Sequence, residues 1–151
     1  MALKDQLELK EFVCFALYSA SRSMTQLYRC YLDPHGLTYP QFLTLFTLWK
    51  EDGISVHEVG DRLMLDGGTV TPLLKRLESK GLIRRSRTVE DERVVRVFLT
   101  EQGAALENLL EEVAGGLLCD IGMAPDEVHE MATTLHRLRE TIETSSARHR
   151  T

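Results

Sequence analysis

The chain has little cysteine and no sign of a disulfide framework: Cys14, Cys30 and Cys119 are scattered over 151 residues. An odd number without an export signal argues against a stapled secreted scaffold and leaves metal binding or thiol chemistry as candidate uses. His35 and His57 could join cysteines around a metal ion, yet no tight Cys/His spacing occurs, so neither a metal nor a cofactor is expected. Apolar blocks are missing as well. The opening MALKDQLELKEF mixes charges through its first ten residues, which fits neither a secretory signal nor a membrane span, and a cytoplasmic protein that meets no membrane is expected. Low-complexity segments and internal repeats are absent. What is there is one domain's worth of ordinary soluble composition, 43% hydrophobic and 27% charged, long enough for a substantial core.

The most informative stretch runs from Ser55 to Leu99. Ser55 opens SVHE, the capping-box spacing with Glu58 at the third position, which predicts a helix of about nine residues. Val56, Val59, Leu63 and Met64 form its inward stripe. Asp66, Gly67 and Gly68 interrupt the pattern, Asp66 being a good helix cap, and a second helix is predicted from about Thr69 to Lys80. Val70, Leu73, Leu74 and Leu77 face inward there, leaving Thr69, Thr71, Lys75, Arg76 and Lys80 outside. Hydroxyls and cations on one exposed helix face suit phosphates and base edges. Gly81 stops the helix, and IRRSRTV, the acidic turn EDE and RVVRVFL read as a two-stranded hairpin, with Val95, Val97 and Leu99 alternating. Helix, helix, hairpin is a winged helix-turn-helix.

Charge distribution agrees. The whole chain carries a formal net charge of -5, but between Leu73 and Arg96 eight cations face four carboxylates, giving +4 there and -9 elsewhere. A run of charge is commonly just a solvated face. Here it coincides with the elements that would dock on a duplex, the footprint of a DNA reader.

The run DGGTVTPLLKRLESKGLIRRSRTVEDERVVRVFLTEQG resembles the core of the MarR family of winged-helix repressors, with Asp91 and Arg93 matching the D-x-R of the wing and Leu99, Thr100 and Gly103 the L-T-x-x-G that follows. The resemblance covers essentially the whole chain. It implies a two-fold homodimer on a near-palindromic operator, an inverted repeat of double-stranded DNA. The Thr69 to Lys80 helix, with Thr69, Thr71, Pro72, Lys75 and Arg76, would lie in the major groove. Arg85, Arg87 and Arg93 would serve the wing, Arg93 at its tip in the minor groove, and Asp91 would orient it. Gly67 stands where a serine is common in one branch of the family, which removes one hydroxyl contact.

Outside this core the chain reads as helical. Leu7, Phe12, Phe15, Ala16, Leu17, Leu27 and Tyr31 recur at loosely helical spacing with no proline before Pro34, predicting one long helix from Leu7 to about Leu32. Thr38 opens TYPQ, a second capping-box spacing, and the next helix is predicted from Tyr39 to about Lys50 with Phe42, Leu45, Phe46 and Trp49 on one face. Thr100 can cap a helix carrying Leu106, Leu109, Leu110, Val113 and Leu117 inward, which Gly115 and Gly116 weaken. Gly122 and Pro125 separate it from a last helix with Val128, Met131, Leu135, Leu138 and Ile142; Ala124 offers that helix no cap. The expected architecture is mainly α with a small β-wing, a single domain. Residues 1–35 and 101–145 supply dimerisation helices, and 38–100 form the DNA-binding module.

Near the N-terminus Cys14 keeps company with Tyr18, Tyr28 and Tyr39. This set resembles the organic-hydroperoxide-sensing (OhrR) branch of the MarR family, in which a cysteine at the position of Cys14 is oxidised by the peroxide and tyrosines matching Tyr28 and Tyr39 hydrogen-bond its sulfur. Phenol donors favour the thiolate, which is the species that attacks an O–O bond. Phe12, Phe15, Phe42 and Phe46 are candidates for an apolar approach for the organic hydroperoxide. On one straight helix fourteen residues separate Cys14 from Tyr28 by roughly 21 Å, so Tyr28 must come from the other subunit. Tyr18, one turn on, can approach in the same chain. Cys119 resembles the resolving cysteine of the two-cysteine proteins of this branch, implying an intersubunit disulfide with Cys14. Cys30, about 24 Å along the helix from Cys14, is out of reach in the same chain and is expected to be packing.

Other readings stand beside this one. A cysteine on an apolar helix is a small core residue as readily as a sensor, which applies to Cys14 and to Cys119. The tyrosines could be amphipathic interface residues. A MarR-type repressor could instead bind a phenolic or aromatic ligand without covalent chemistry. A thiol peroxidase would also display a reactive cysteine, though it would leave the basic helix and wing without a task, and an enzyme is not expected. An architectural DNA binder would need no input.

Overall fold

The computed structural model describes residues 8–87 and 93–148. Its elements run α1 (Val13–Leu32), α2 (Tyr39–Lys50), α3 (Val56–Leu63), α4 (Gly67–Ser79), β1 (Ile83–Arg87), β2 (Val95–Leu99), α5 (Glu101–Ala105), α6 (Leu109–Ile121) and α7 (Pro125–Arg148). Leu7 and the acidic turn with Asp91 lie outside the described residues. The chain divides into two compact units, Met1–Val113 and Ala114–Thr151, with the boundary inside α6.

Caps fix where the central helices start. The Ser55 hydroxyl accepts from the Glu58 amide at 3.1 Å while the Glu58 carboxylate accepts from the Ser55 amide at 2.7 Å, the reciprocal pair expected from SVHE. Thr38 and Gln41 close the same box ahead of α2. Behind these caps Phe42, Leu45 and Leu48 of α2 share one core with Val59, Val70, Leu73, Leu74, Leu77, Ile83 and Val97, all buried. The inward stripe of α4 is therefore the one its spacing predicts. Met64 is not in the core: it is 57% exposed and takes a left-handed conformation, φ 56°, as the C-cap of α3. Its amide bonds back to Asp61 and Gly60, so the helix ends just where a fourth inward residue would have been needed.

The sheet pairs β1 with β2 antiparallel, Ile83 opposite Leu99 and Arg87 opposite Val95. A short third segment joins it that the pattern did not announce. Gly53 donates to the Val97 carbonyl at 3.0 Å and Val97 donates to Ile54 at 2.8 Å, with Ser55 bridging Arg96. Three residues are too few to show period-two alternation.

L-T-x-x-G acquires a physical role at each letter. The Leu99 amide donates to Asp52 at 2.9 Å, and the Thr100 hydroxyl bonds the Gly81 carbonyl and caps α5 by accepting from the Gly103 amide. At Gly103 a Cβ would lie 2.0 Å from the Leu82 carbonyl oxygen, so only glycine fits that contact.

Two predicted helices are broken. The N-terminal one begins at Val13, not Leu7: Glu8 and Glu11 cap each other around a 3-10 turn, Leu9–Glu11, and Phe12 is extended at ψ 120°. Phe12 and Ala16 of the helical-spacing set are exposed, and Phe15, Leu17, Leu27 and Tyr31 half-buried. The helix after the wing stops at Ala105 and resumes at Leu109 through a 3-10 turn, Leu106–Asn108. There the Gly103 carbonyl, which an unbroken helix would offer to Glu107, accepts the Trp49 indole N–H at 3.0 Å.

In the second unit Gly122 turns at φ 66° and Pro125 starts α7. Ala124 gives no cap, but Glu127 reaches back to the Ala124 amide at 2.8 Å and supplies half of one. Met131, Leu135 and Ile142 of α7 are exposed, and Val128 and Leu138 half-buried.

Candidate functional site

Helix α4 is held by the N-cap residue that precedes it. Asp66 accepts the Thr69 amide at 2.9 Å and the Thr69 hydroxyl at 3.0 Å, bonds that hold its carboxyl below the usual aspartate range. With Val70, Leu73, Leu74 and Leu77 turned inward, Thr69, Pro72, Lys75 and Arg76 stand exposed and Thr71 half-exposed. Two clefts flank the helix. One of about 640 Å³, towards α3 and the wing, is lined by Thr71, Arg85 and Arg93 together with His57, Val70 and Val95. The other, about 340 Å³, includes Thr69, Pro72 and Arg76 beside Gln41 of α2. Thr69, Thr71, Pro72, Arg76, Arg85 and Arg93 line these two clefts; Lys75 and Arg87 line neither, and Asp91 lies outside the described residues.

The cations of this region do not all stand free. Arg85 donates to Glu78 three times: its amide at 3.0 Å, Nε at 3.1 Å and one Nη at 2.7 Å. That guanidinium holds the Glu78 carboxyl below the ordinary glutamate range. Lys80 turns away from the outer face to the Gly36 carbonyl and, at 3.0 Å, to Gln41. Arg84 lies over the Phe98 ring, 4.3 Å from its centre, and Arg96 donates to the Gly53 carbonyl at 2.7 Å. Arg87 and Arg93 are exposed. Lys75 and Arg76 extend from α4 with no acidic side chain paired to them among the described residues. Glu78 was not singled out from the sequence, and Gln41 only as the third position of the TYPQ capping box. The signal for Glu78 is that it is the one acid in the LLKRLESK run, a single charge of the opposite sign among cations.

The residues associated with Cys14 fall into two groups along α1. At the first turn Cys14 is exposed, Phe12 caps the helix without a side-chain bond, and the half-buried Phe15 packs against Tyr18 at 6.5 Å between ring centres. Tyr18 is exposed and its oxygen accepts from Arg22 at 2.9 Å. At the far end the Tyr28 and Tyr39 rings meet at a tilt of 46° with centres 4.4 Å apart, with Phe42 buried 6.1 Å from Tyr28 and edge-on to Trp49. The Tyr28 hydroxyl donates to Tyr39. Burial pushes the Tyr28 phenol up to about 12, with the Tyr39 oxygen adding to the shift, and burial raises Tyr39 too. Both are therefore neutral O–H donors near pH 7. Phe46 is half-buried with the Lys50 ammonium 5.8 Å from its ring centre. Fourteen residues of α1 separate Cys14 from Tyr28, roughly 21 Å. Cys30, expected to be packing, is exposed in the single chain, and Cys119, in the second unit, is exposed as well.

A capped helix set beside an antiparallel wing, with cations on the outer side of both, defines a winged-helix DNA-binding regulator. The MarR family pattern matches residues 37–95. The organic hydroperoxide resistance transcriptional regulator of Bacillus subtilis is 41% identical over 138 residues, 91% of this chain and 94% of that protein. The chain belongs to the MarR family of winged-helix transcriptional regulators, which are not enzymes. Among solved structures, reduced AbfR bound to DNA superposes with a TM-score of 0.79 at 30% identity, covering 95% of this chain and 98% of that one. AbfR comes from Staphylococcus epidermidis. Its overoxidized form bound to DNA gives 0.76 at 31% identity over 93% and 99% of the two chains. Its disulfide form gives 0.65 at 33% over 89% and 95%. Among the described residues no helix is long and apolar enough to cross a membrane.

Proposed function

We propose that the protein is a homodimeric repressor that releases operator DNA when an organic hydroperoxide oxidises Cys14. The observation that carries this reading is the Tyr28–Tyr39 pair. Two neutral phenols are held together at one end of α1, fourteen residues from the cysteine they would serve. No bend of one straight helix joins them, whereas a second copy of α1 crossing antiparallel brings the partner's thiol to the pair. Cys14 is the second residue of α1 and its side chain is exposed, open to an oxidant from solvent. Relatives support the chemistry, since one is a regulator of organic hydroperoxide resistance and another exists in reduced, overoxidized and disulfide forms. The apolar stripe of α7, uncovered in the single chain, supports a dimer.

In the first step the Cys14 thiolate attacks one oxygen of the O–O bond. The outer oxygen and its hydrogen go to the sulfur as a sulfenic acid, and the other oxygen leaves as alkoxide, which takes a proton from water to become the alcohol. In the second, the Cys119 thiol of the partner subunit attacks that sulfur, water departs and a disulfide joins the chains. Phe12 and Phe15 from one copy and Phe42 and Phe46 from the other would then flank a single apolar approach. Thr69, Thr71, Pro72, Lys75 and Arg76 contact the major groove and Arg87 and Arg93 the backbone and minor groove beside it. Since each half of the dimer must meet a half-site about one DNA turn away, a small displacement of the heads breaks binding. A ligand that merely occupied the pocket would need no exposed thiol at the first turn.

Non-reducing electrophoresis after one equivalent of cumene hydroperoxide tests the pairing. Wild-type protein and Cys30→Ser are expected to run as covalent dimers, Cys14→Ser and Cys119→Ser as monomers. A covalent dimer of Cys119→Ser would show that another thiol resolves the sulfenic acid.

A further inference from the structure

Sequence pattern groups Arg85 with the cations that would meet DNA, but its bonding sets it apart. The edge of the sheet explains why. Val97, opposite Arg85, gives its N–H to Ile54 and its carbonyl to Gly53, so the pair is one whose amides point away from each other. The Arg85 amide is thus turned off the free edge of β1, where a backbone donor must find another partner. Glu78, from the last full turn of α4, accepts that amide with one carboxylate oxygen and the guanidinium Nε and Nη with the other. One carboxylate therefore takes three donors, two in the planar fork that only arginine offers. Both side chains are partly buried, at 24% exposure for Arg85 and 37% for Glu78, unlike the exposed Lys75, Arg76, Arg87 and Arg93.

We propose that Arg85 is a positioning residue and not a DNA contact: with Glu78 it forms a strut that sets the wing's first strand at a fixed angle to α4. This rests on the reading of α4 and the wing as the DNA-contacting elements. Register between a helix in one groove and a wing in the next is then held inside the protein, before DNA arrives. A phosphate contact and a strut differ in what their loss does. Removing a phosphate contact lowers the salt dependence of binding and weakens every duplex alike, whereas removing a strut penalises only the duplex that needs both elements in register.

The test uses the full-length reduced protein, a duplex recovered by wild type from a random-sequence pool, and a scrambled duplex of the same length. Affinities are read by fluorescence anisotropy from about 50 to about 300 mM KCl. Arg87→Gln, the phosphate control, is expected to lower the magnitude of the log–log salt slope by about one and to weaken both duplexes. Arg85→Met and Glu78→Gln are each expected to weaken the selected duplex about tenfold, with slope and scrambled-duplex affinity unchanged. Their combination is expected to be no weaker than either alone. Arg85→Lys keeps the charge and the fold but not the fork, and is expected to behave like Arg85→Met. Near-wild-type affinity for Arg85→Lys, or a slope reduced by about one in Arg85→Met, would overturn the strut. A wild-type protein that enriches no duplex overturns the DNA-contacting reading itself.

Discussion

Reduced protein carrying Tyr28→Phe and Tyr39→Phe together will lose its thiol to cumene hydroperoxide roughly 10- to 100-fold more slowly than wild type, while its operator affinity before oxidation stays the same. A hydrogen bond to a charged acceptor is worth about 1.5–3 kcal/mol, and each 1.4 kcal/mol on a barrier is about tenfold in rate. In the proposed dimer the phenols supply such a bond to a sulfur that is negative as it attacks. They are suited to it because burial keeps both protonated, Tyr28 up to about 12. Replacing both at once removes a donor with its acceptor, so no orphaned hydroxyl is left among the rings of Tyr28, Tyr39 and Phe42 and the fold should tolerate the change. Thiol titration against time measures the rate. Unchanged kinetics would show that the pair serves packing alone.

The second large effect falls on stability. Gly103→Ala should destabilise the winged-helix module by about 2 kcal/mol, taking an overpacking cost of about 3 kcal/mol against roughly 1 kcal/mol of improved helix propensity. The cost belongs at the upper end because the new methyl would meet the Leu82 backbone oxygen at 2.0 Å and the Leu99 side chain at 3.3 Å. Backbone cannot swing aside as a side-chain tip can. The same shift would stretch the bond from the Trp49 indole to the Gly103 carbonyl. Trp49 is the only tryptophan, so urea denaturation followed by its emission reports this site directly. A midpoint equal to wild type would mean that the contact between α5 and the turn after α4 relaxes freely.

Legibility in the sequence followed the range of the interaction. Local signals were readable: the caps at Thr38, Ser55 and Asp66, the inward set Val70, Leu73, Leu74 and Leu77, and the turn at Gly81 depend on residues within a few positions of one another. What sequence spacing could not show were bonds between distant residues. Trp49 reaches Gly103 across 54 positions and splits a helix that periodicity alone would continue. Lys80, on the outer side of its helix by pattern, spends its ammonium on Gln41 and Gly36, and Arg85 spends its guanidinium on Glu78. An apolar stripe names a buried face, but a cation on the opposite face carries no mark of the acceptor that waits for it. The same limit applies to Phe12, whose spacing placed it inside the first helix although Glu8 and Glu11 close a turn that leaves it at the helix entrance. Resemblance suggested which tyrosines belong with Cys14, and the rise of a straight helix suggested that Tyr28 would have to reach it from another copy of the chain.

Operator binding before and after cumene hydroperoxide, compared between wild type and Cys14→Ser, tests the central claim most directly. Both reduced proteins should hold the duplex equally well, and addition of the oxidant should release it from wild type but leave Cys14→Ser bound. Release of the duplex by the serine variant at the wild-type concentration of oxidant would contradict the thiol switch.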